Sequence, residues 1–167
     1  MTFSLTIIVG LAALLLAGLV QGLTGFGLAL VSVSILINFL SPKLVVPTVV
    51  ILSIFTNIII LFEARKWVDL RRIWPLMMAG IVGMPLGTYL LVVLDASILK
   101  VFIGAVIALF AIAFLMGFKK QIRNEKLAFA PVGFISGLLQ GSTSLSGPPI
   151  ILFFVNQGVE KQVFRPI

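Results

Sequence analysis

Gln21-Gly22-Leu23-Thr24-Gly25-Phe26-Gly27 interrupts an apolar run that otherwise extends over residues 5–40. As one straight helix that run would be about 54 Å long, against a bilayer core about 30 Å thick. The three glycines weaken helix and admit positive φ, so the chain is expected to break here. Two geometries satisfy the break: a helical hairpin that returns to the side it entered from, or a discontinuous helix that crosses once. In either case the irregular backbone must be covered by protein or line a wet cavity, because lipid offers it no hydrogen bonds. The hairpin is preferred.

A second interruption, Gln140-Gly141-Ser142-Thr143-Ser144-Leu145-Ser146-Gly147, matches the first. Gly18, Gln21, Gly22 and Thr24 fall on Gly137, Gln140, Gly141 and Thr143 at a constant offset of 119 residues (140 − 21). The two breaks are therefore read as halves of one site, with the other segments as scaffold.

Composition agrees with a membrane protein. Apolar residues make up 60% of the chain and charged residues 10%, and mean hydropathy is +1.26; a soluble domain carries about 25% charged residues. The net charge is +7. The basic residues cluster at segment ends, as the positive-inside rule and anionic headgroups require, so nucleic acid is not an expected partner. The chain has neither Cys nor His, which leaves disulfide, thiolate, haem and triad chemistry without their residues. No cofactor is expected, and an enzyme is disfavoured because no acid–base pair accompanies a nucleophile. The N-terminus lacks a positive charge before its apolar run, against a cleaved signal peptide.

Four further apolar segments are expected, at residues 44–62, 73–94, 98–118 and 127–154, the last containing the second break. The loops at 63–72 and 119–126 hold most of the Lys and Arg and are assigned to the cytoplasm, with Trp67 and Trp74 as interface anchors. Ser41-Pro42-Lys43 and the turn near Asp95 then lie outside. With a hairpin at the first break, three crossings separate the copies and the repeats are inverted; with a single crossing they are parallel. Gly80, Gly83 and Gly87 form a small-residue stripe read as close helix packing. Ser53, Thr56 and Asn57 share a helix face, with Asn57 either lining a cavity or bonding a neighbouring helix.

A broken helix exposes N–H groups and a partial positive charge at each new N-terminus, which binds anions without a formal charge. Thr24, Thr143, Ser142, Ser144 and Ser146 add hydroxyls, Gln21 and Gln140 add amides, and Gly25, Phe26 and Gly27 expose backbone. Phe26 is read as packing or as a gate. Pro148 and Pro149 stiffen the second break. No acidic residue lies within the apolar cores, which disfavours a carboxylate-built cation site. Proton coupling would have to ride on the substrate or on interface residues such as Glu63.

The stretch from Gly18 to Gly27 and Ser146-Gly147-Pro148-Pro149-Ile150-Ile151 resemble the two halves of the TauE/SafE sulfite-exporter family. The resemblance implies a permease exporting sulfite, an organosulfonate or a related anion. It implies a site at Gly22, Thr24, Gly25, Gly27, Gly141, Ser144, Ser146, Gly147 and Pro148. The chain departs from the family pattern in one respect, because its second copy has no counterpart to residues 44–118. It is thus read as an all-α integral membrane protein, a polytopic bundle with a first repeat at 1–118 and the start of an incomplete second repeat at 119–167. It is expected to be a fragment, or a short chain completed by homodimerisation, in the plasma membrane with lipid and a small anion as partners. The competing readings are a non-transporting scaffold that binds lipid or a partner helix, and an anion channel.

Overall fold

The computed structural model describes residues 3–24, 27–64, 70–116 and 125–156. They form seven helices, α1 (Phe3–Thr24), α2 (Leu28–Leu36), α3 (Pro42–Ala64), α4 (Leu70–Val93), α5 (Ala96–Leu115), α6 (Glu125–Thr143) and α7 (Gly147–Asn156). No strand occurs among the described residues. Gly25 and Phe26 of the first break, most of the two basic loops and residues 157–167 lie outside the described residues. Three helical stretches are long and apolar enough to cross a membrane, at Pro42–Ile60, Ile73–Val93 and Ala96–Leu115.

The segment boundaries follow local chemistry. Pro42 opens α3 at a position where its missing N–H is harmless, and the Ser41 carbonyl accepts from Leu44 N and Val45 N. Asp95 stands at the N-cap of α5 in an extended conformation, with its carbonyl accepting from Leu99 N at 3.0 Å. Of the loop expected at 63–72, residues 63–64 and 70–72 are helical. Helix continues to Ala64 and resumes at Leu70, because Arg and Leu are good helix formers. α4 runs through Pro75 and Pro85 as one helix.

Both breaks are hairpins. Gln21 and Leu28 are hydrogen-bonded across the first, and a Cβ on Gly10 would lie 3.7 Å from Leu36. Residues progressively farther from the break therefore stay paired, so α2 runs back along α1. At the second, Ser136 bonds Ser146 at 2.7 Å and the Phe129 and Phe153 ring centroids are 5.4 Å apart, so α7 runs back along α6.

The tightest packing joins α4 to α6. A Cβ on Gly133 would lie 2.9 Å from Leu76 Cα, one on Gly137 2.7 Å from Gly80 Cα, and one on Gly141 2.6 Å from Thr88 N. Conversely, a Cβ on Gly83 would lie 2.9 Å from Leu138 N, and one on Gly87 3.0 Å from Ser142 N. Residue numbers on the two helices rise together along the contact, so the helices are parallel and their backbones touch through glycine on both sides. The stripe at Gly80, Gly83 and Gly87 is thus a packing surface, filled by a second stripe at Gly133, Gly137 and Gly141. Small residues permit such an approach, and dispersion across it is what holds helices together in lipid.

α3 runs opposite to α4, since Lys43 Nζ near the start of α3 donates to the Val92 carbonyl at the end of α4 at 2.8 Å. α2 leads directly into α3, so the α1–α2 hairpin opens toward this Lys43 end. α6 is parallel to α4, so the α6–α7 hairpin opens toward the opposite end, where the basic loops attach. The main core gathers Ala17, Leu28, Val33, Leu36, Val45, Val46, Val49, Leu91, Leu99 and Ile103 from five helices.

Candidate functional site

At the first break Gly27 has φ +122°, a conformation side chains rarely adopt. Its missing Cβ would stand 2.8 Å from Val20 Cγ1, so glycine is required twice over. Gln21 is buried, and its Oε1 accepts from Leu28 N at 3.0 Å. The side chain thereby caps the first turn of α2 from the last turn of α1, satisfying one of the N–H groups a helix start leaves open. The amide nitrogen remains as a donor beside that same N-terminus. Thr24 is exposed and donates to the Val20 carbonyl at 2.7 Å. Gly22 lies on the outer face of α1, where an added methyl would meet nothing within 4 Å.

At the second break Ser142, Thr143 and Ser144 are all buried, and each hydroxyl is spent on a backbone carbonyl. Ser142 donates to Leu138 O and Thr143 to Leu139 O, both at 2.8 Å. Ser144 donates across to Val46 O of α3 at 3.1 Å. Thr143 Oγ1 also accepts from Leu145 N at 3.3 Å. Ser144 adopts φ 63°, and its N–H closes the end of α6 on Gln140 O at 3.1 Å. These hydroxyls build the turn and tie it to α3. Removing the tie has an expected order of effects. Ser144→Ala loses the bond and keeps the positive φ, whereas Ser144→Gly loses the bond and relieves it. Denaturant unfolding in micelles should place the alanine variant about 1 kcal/mol below the glycine variant.

Gln140 and Ser146 are half-buried and line a groove of 280 Å³ between α4, α6 and α7, together with Ser136. Gly141 packs on Met84 and Thr88 of α4, and Pro148 is buried. Gly147 opens α7. Because Pro148 and Pro149 carry no N–H, the first turn of α7 offers fewer donors than that of α2. Asn57 is exposed, while Ser53, one turn earlier on the same face of α3, is buried.

The two breaks are linked through an apolar cluster that includes α5. Leu145 is buried with Val106 and Leu139, and Ala29 and Leu30 from the first turn of α2 pack on that cluster. The start of α2 and the segment before α7 thus share an apolar cluster with Val106 of α5. Two polar groups have no signal in the repeat. Ser136 bonds Ser146 O across the second hairpin, but its counterpart in the first copy is Ala17. Ser32 is fully buried, and among the buried side-chain N and O atoms of the described residues its hydroxyl alone lacks a hydrogen-bond partner; its counterpart is Ile151. A buried hydroxyl without a partner one turn into α2 is a donor held ready near the first break.

Among the described residues no cluster of His, Cys, Asp or Glu is disposed to hold a metal. The arrangement offers backbone N–H groups, the amides of Gln21 and Gln140 and the buried Ser32 hydroxyl, a donor set suited to an anion. No curated protein and no solved structure matches the chain. The family model described as sulfite exporter TauE/SafE matches residues 10–166, from the first hairpin through the second. With apolar helices and two glycine-broken hairpins spanned by that match, the chain belongs to the TauE/SafE sulfite exporter family of membrane transporters.

Proposed function

We propose that this chain is the working part of a secondary transporter that moves sulfite or a small organosulfonate outward across the plasma membrane, as a multi-pass protein. The observation that carries the reading is the opposed pair of hairpins. One opens toward the Lys43 end and the other toward the basic-loop end, and their broken segments share the Leu145 cluster. Such a pair is what inverted repeats with discontinuous helices produce, and rocking one repeat against the other would expose the site alternately to each side. Residues 1–118 would form the first repeat and 119–167 the start of the second.

The anion would be held by the amides of Gln21 and Gln140, the first-turn N–H groups of α2 and the Ser146–Gly147 segment. Thr24, Gly22 and Gly25 would complete the first half. Thr143, Ser144, Gly141 and Pro148 would contribute by shaping the second turn, and Gly27 by permitting the first. Asn57, exposed on α3, has the weakest claim to a place in the site. The rival scaffold reading uses the Gly80-Gly83-Gly87 face of α4 and the basic loops, and α6 already covers that face.

The test is radiolabelled sulfite efflux from proteoliposomes. A carrier should show saturable efflux that external sulfite accelerates. Efflux that rises linearly with concentration and ignores external sulfite would indicate a channel, and none above empty liposomes would remove the transport reading.

A further inference from the structure

We infer that the molecule flexes along a line that differs from the boundary between its sequence repeats. α4, which the repeat assigns to the first half, travels with α6 and α7 as one body. The other body is α1, α2, α3 and α5. The transport reading gives such a motion its purpose, but the division itself rests on how the helices are packed.

Helices packed through side chains slide past each other in small steps, because side-chain torsions absorb the shift. α4 and α6 have no such slack where they touch. A Cβ on Gly83, Gly87, Gly133, Gly137 or Gly141 would in each case run into the backbone of the facing helix. Main chain meets main chain, so any slip requires the whole pair to part. α7 is fastened to the same pair. Ser136 of α6 bonds Ser146 O. Leu76 of α4, Ala128 and Phe129 of α6 and Phe153 of α7 share a core to which, among the described residues, no other helix contributes.

The second body has its own core, where Ala17 of α1, Val33 of α2, Val49 of α3 and Ile103 of α5 meet, and the Gln21 cap ties α1 to α2. What crosses between the bodies is different in kind. Leu91 of α4 reaches into the second core. Lys43 Nζ donates to Val92 O at 2.8 Å, and Ser144 Oγ donates to Val46 O at 3.1 Å. Leu139 and Leu145 pack with Val106 of α5 and with Ala29 and Leu30 of α2. Side chains turn and single hydrogen bonds exchange partners, so this seam yields before the glycine contact does. Lys43 and Val46 lie within one turn of each other on α3, so the two hydrogen bonds form a latch at that end of the seam.

The chain contains no Cys, so pairs of introduced cysteines can carry spin labels. Ile59 on α3, Ile81 on α4 and Ile135 on α6 are all exposed, and none belongs to the glycine contact or the latch. Distances between labels are measured by pulsed dipolar spectroscopy in nanodiscs, without sulfite. The pair Ile81→Cys and Ile135→Cys should give one narrow distribution. Ile59→Cys paired with either of them should give a distribution at least about twice as wide. Adding Lys43→Met and Ser144→Ala, which cut both latch bonds, should shift those two distributions by about 2 Å or more and leave the first in place. An α4–α6 distribution as wide as the others would overturn the proposal. So would an α3–α4 distance that holds while α3–α6 shifts, which is the division the sequence repeat draws. Three distributions that all stay narrow and fixed would mean a single rigid unit and would overturn it too. No sulfite is present, so each outcome is read apart from whether the protein transports.

Discussion

Gly137→Ala is expected to destabilise the protein by about 3 kcal/mol, at the upper end of what overpacking a well-fitted contact costs. The added methyl would stand 2.7 Å from Gly80 Cα and closer still to the Gly80 carbonyl. Backbone cannot turn aside as a side chain can, so α4 and α6 must part along their length. That separation also spreads Gly133 from Leu76 and Gly141 from Thr88, and with them the groove that Gln140 and Ser146 line. Gly104→Ala is the matched control. Nothing lies within 4 Å of its Cβ position, and alanine favours helix by up to about 1 kcal/mol, so this variant should be neutral or slightly more stable. Unfolding in mixed micelles compares the two. Equal stabilities would mean that the two glycine stripes do not touch.

The second large effect is expected at Gly27, where valine should cost about 3 kcal/mol or more. Its φ of +122° excludes a β-branched residue, and its Cβ would meet Val20 Cγ1 at 2.8 Å. The turn would have to open, which withdraws Leu28 N from Gln21 and lifts α2 from α1. Hydrogen exchange should show α2 losing protection while α4 and α6 keep theirs, because the glycine interface lies elsewhere in the bundle. Gly27→Ala, with the same φ conflict and a smaller side chain, should fall between valine and wild type. Uniform loss of protection across all helices would contradict the hairpin's being a separable unit.

Much of the fold is legible in residue types because lipid imposes simple rules. A run longer than the bilayer must break, glycines mark where, and clustered Lys and Arg mark one side. The glycine stripe of α4 announces a close contact. Its partner is not legible, because the repeat links Gly137 and Gly141 only to Gly18 and Gly22 and says nothing of α4. Side-chain direction is the harder matter. Helices that are apolar all round have no polar face from which to read their rotation. Asn57 looks inward by its chemistry, yet is exposed one turn beyond the buried Ser53. Ser142, Thr143 and Ser144 look like ligand donors, yet each donates to a carbonyl. Ser32 and Ser136 lie where only tertiary packing, not the repeat, gives them meaning.

The claim that the two breaks are halves of one anion site is tested most directly by a double-mutant cycle on sulfite affinity, measured by calorimetry on the purified protein. Gln21→Glu keeps an oxygen to accept from Leu28 N while replacing the donor amide with a carboxylate, and Gln140→Glu makes the same change beside the second break. Each should weaken sulfite binding at least about tenfold, and the pair should depart from additivity by more than about 0.5 kcal/mol, as residues sharing one ligand do. Affinity unchanged by either substitution in a protein that still melts at the wild-type temperature, or strictly additive losses, would show that the breaks do not hold one anion between them.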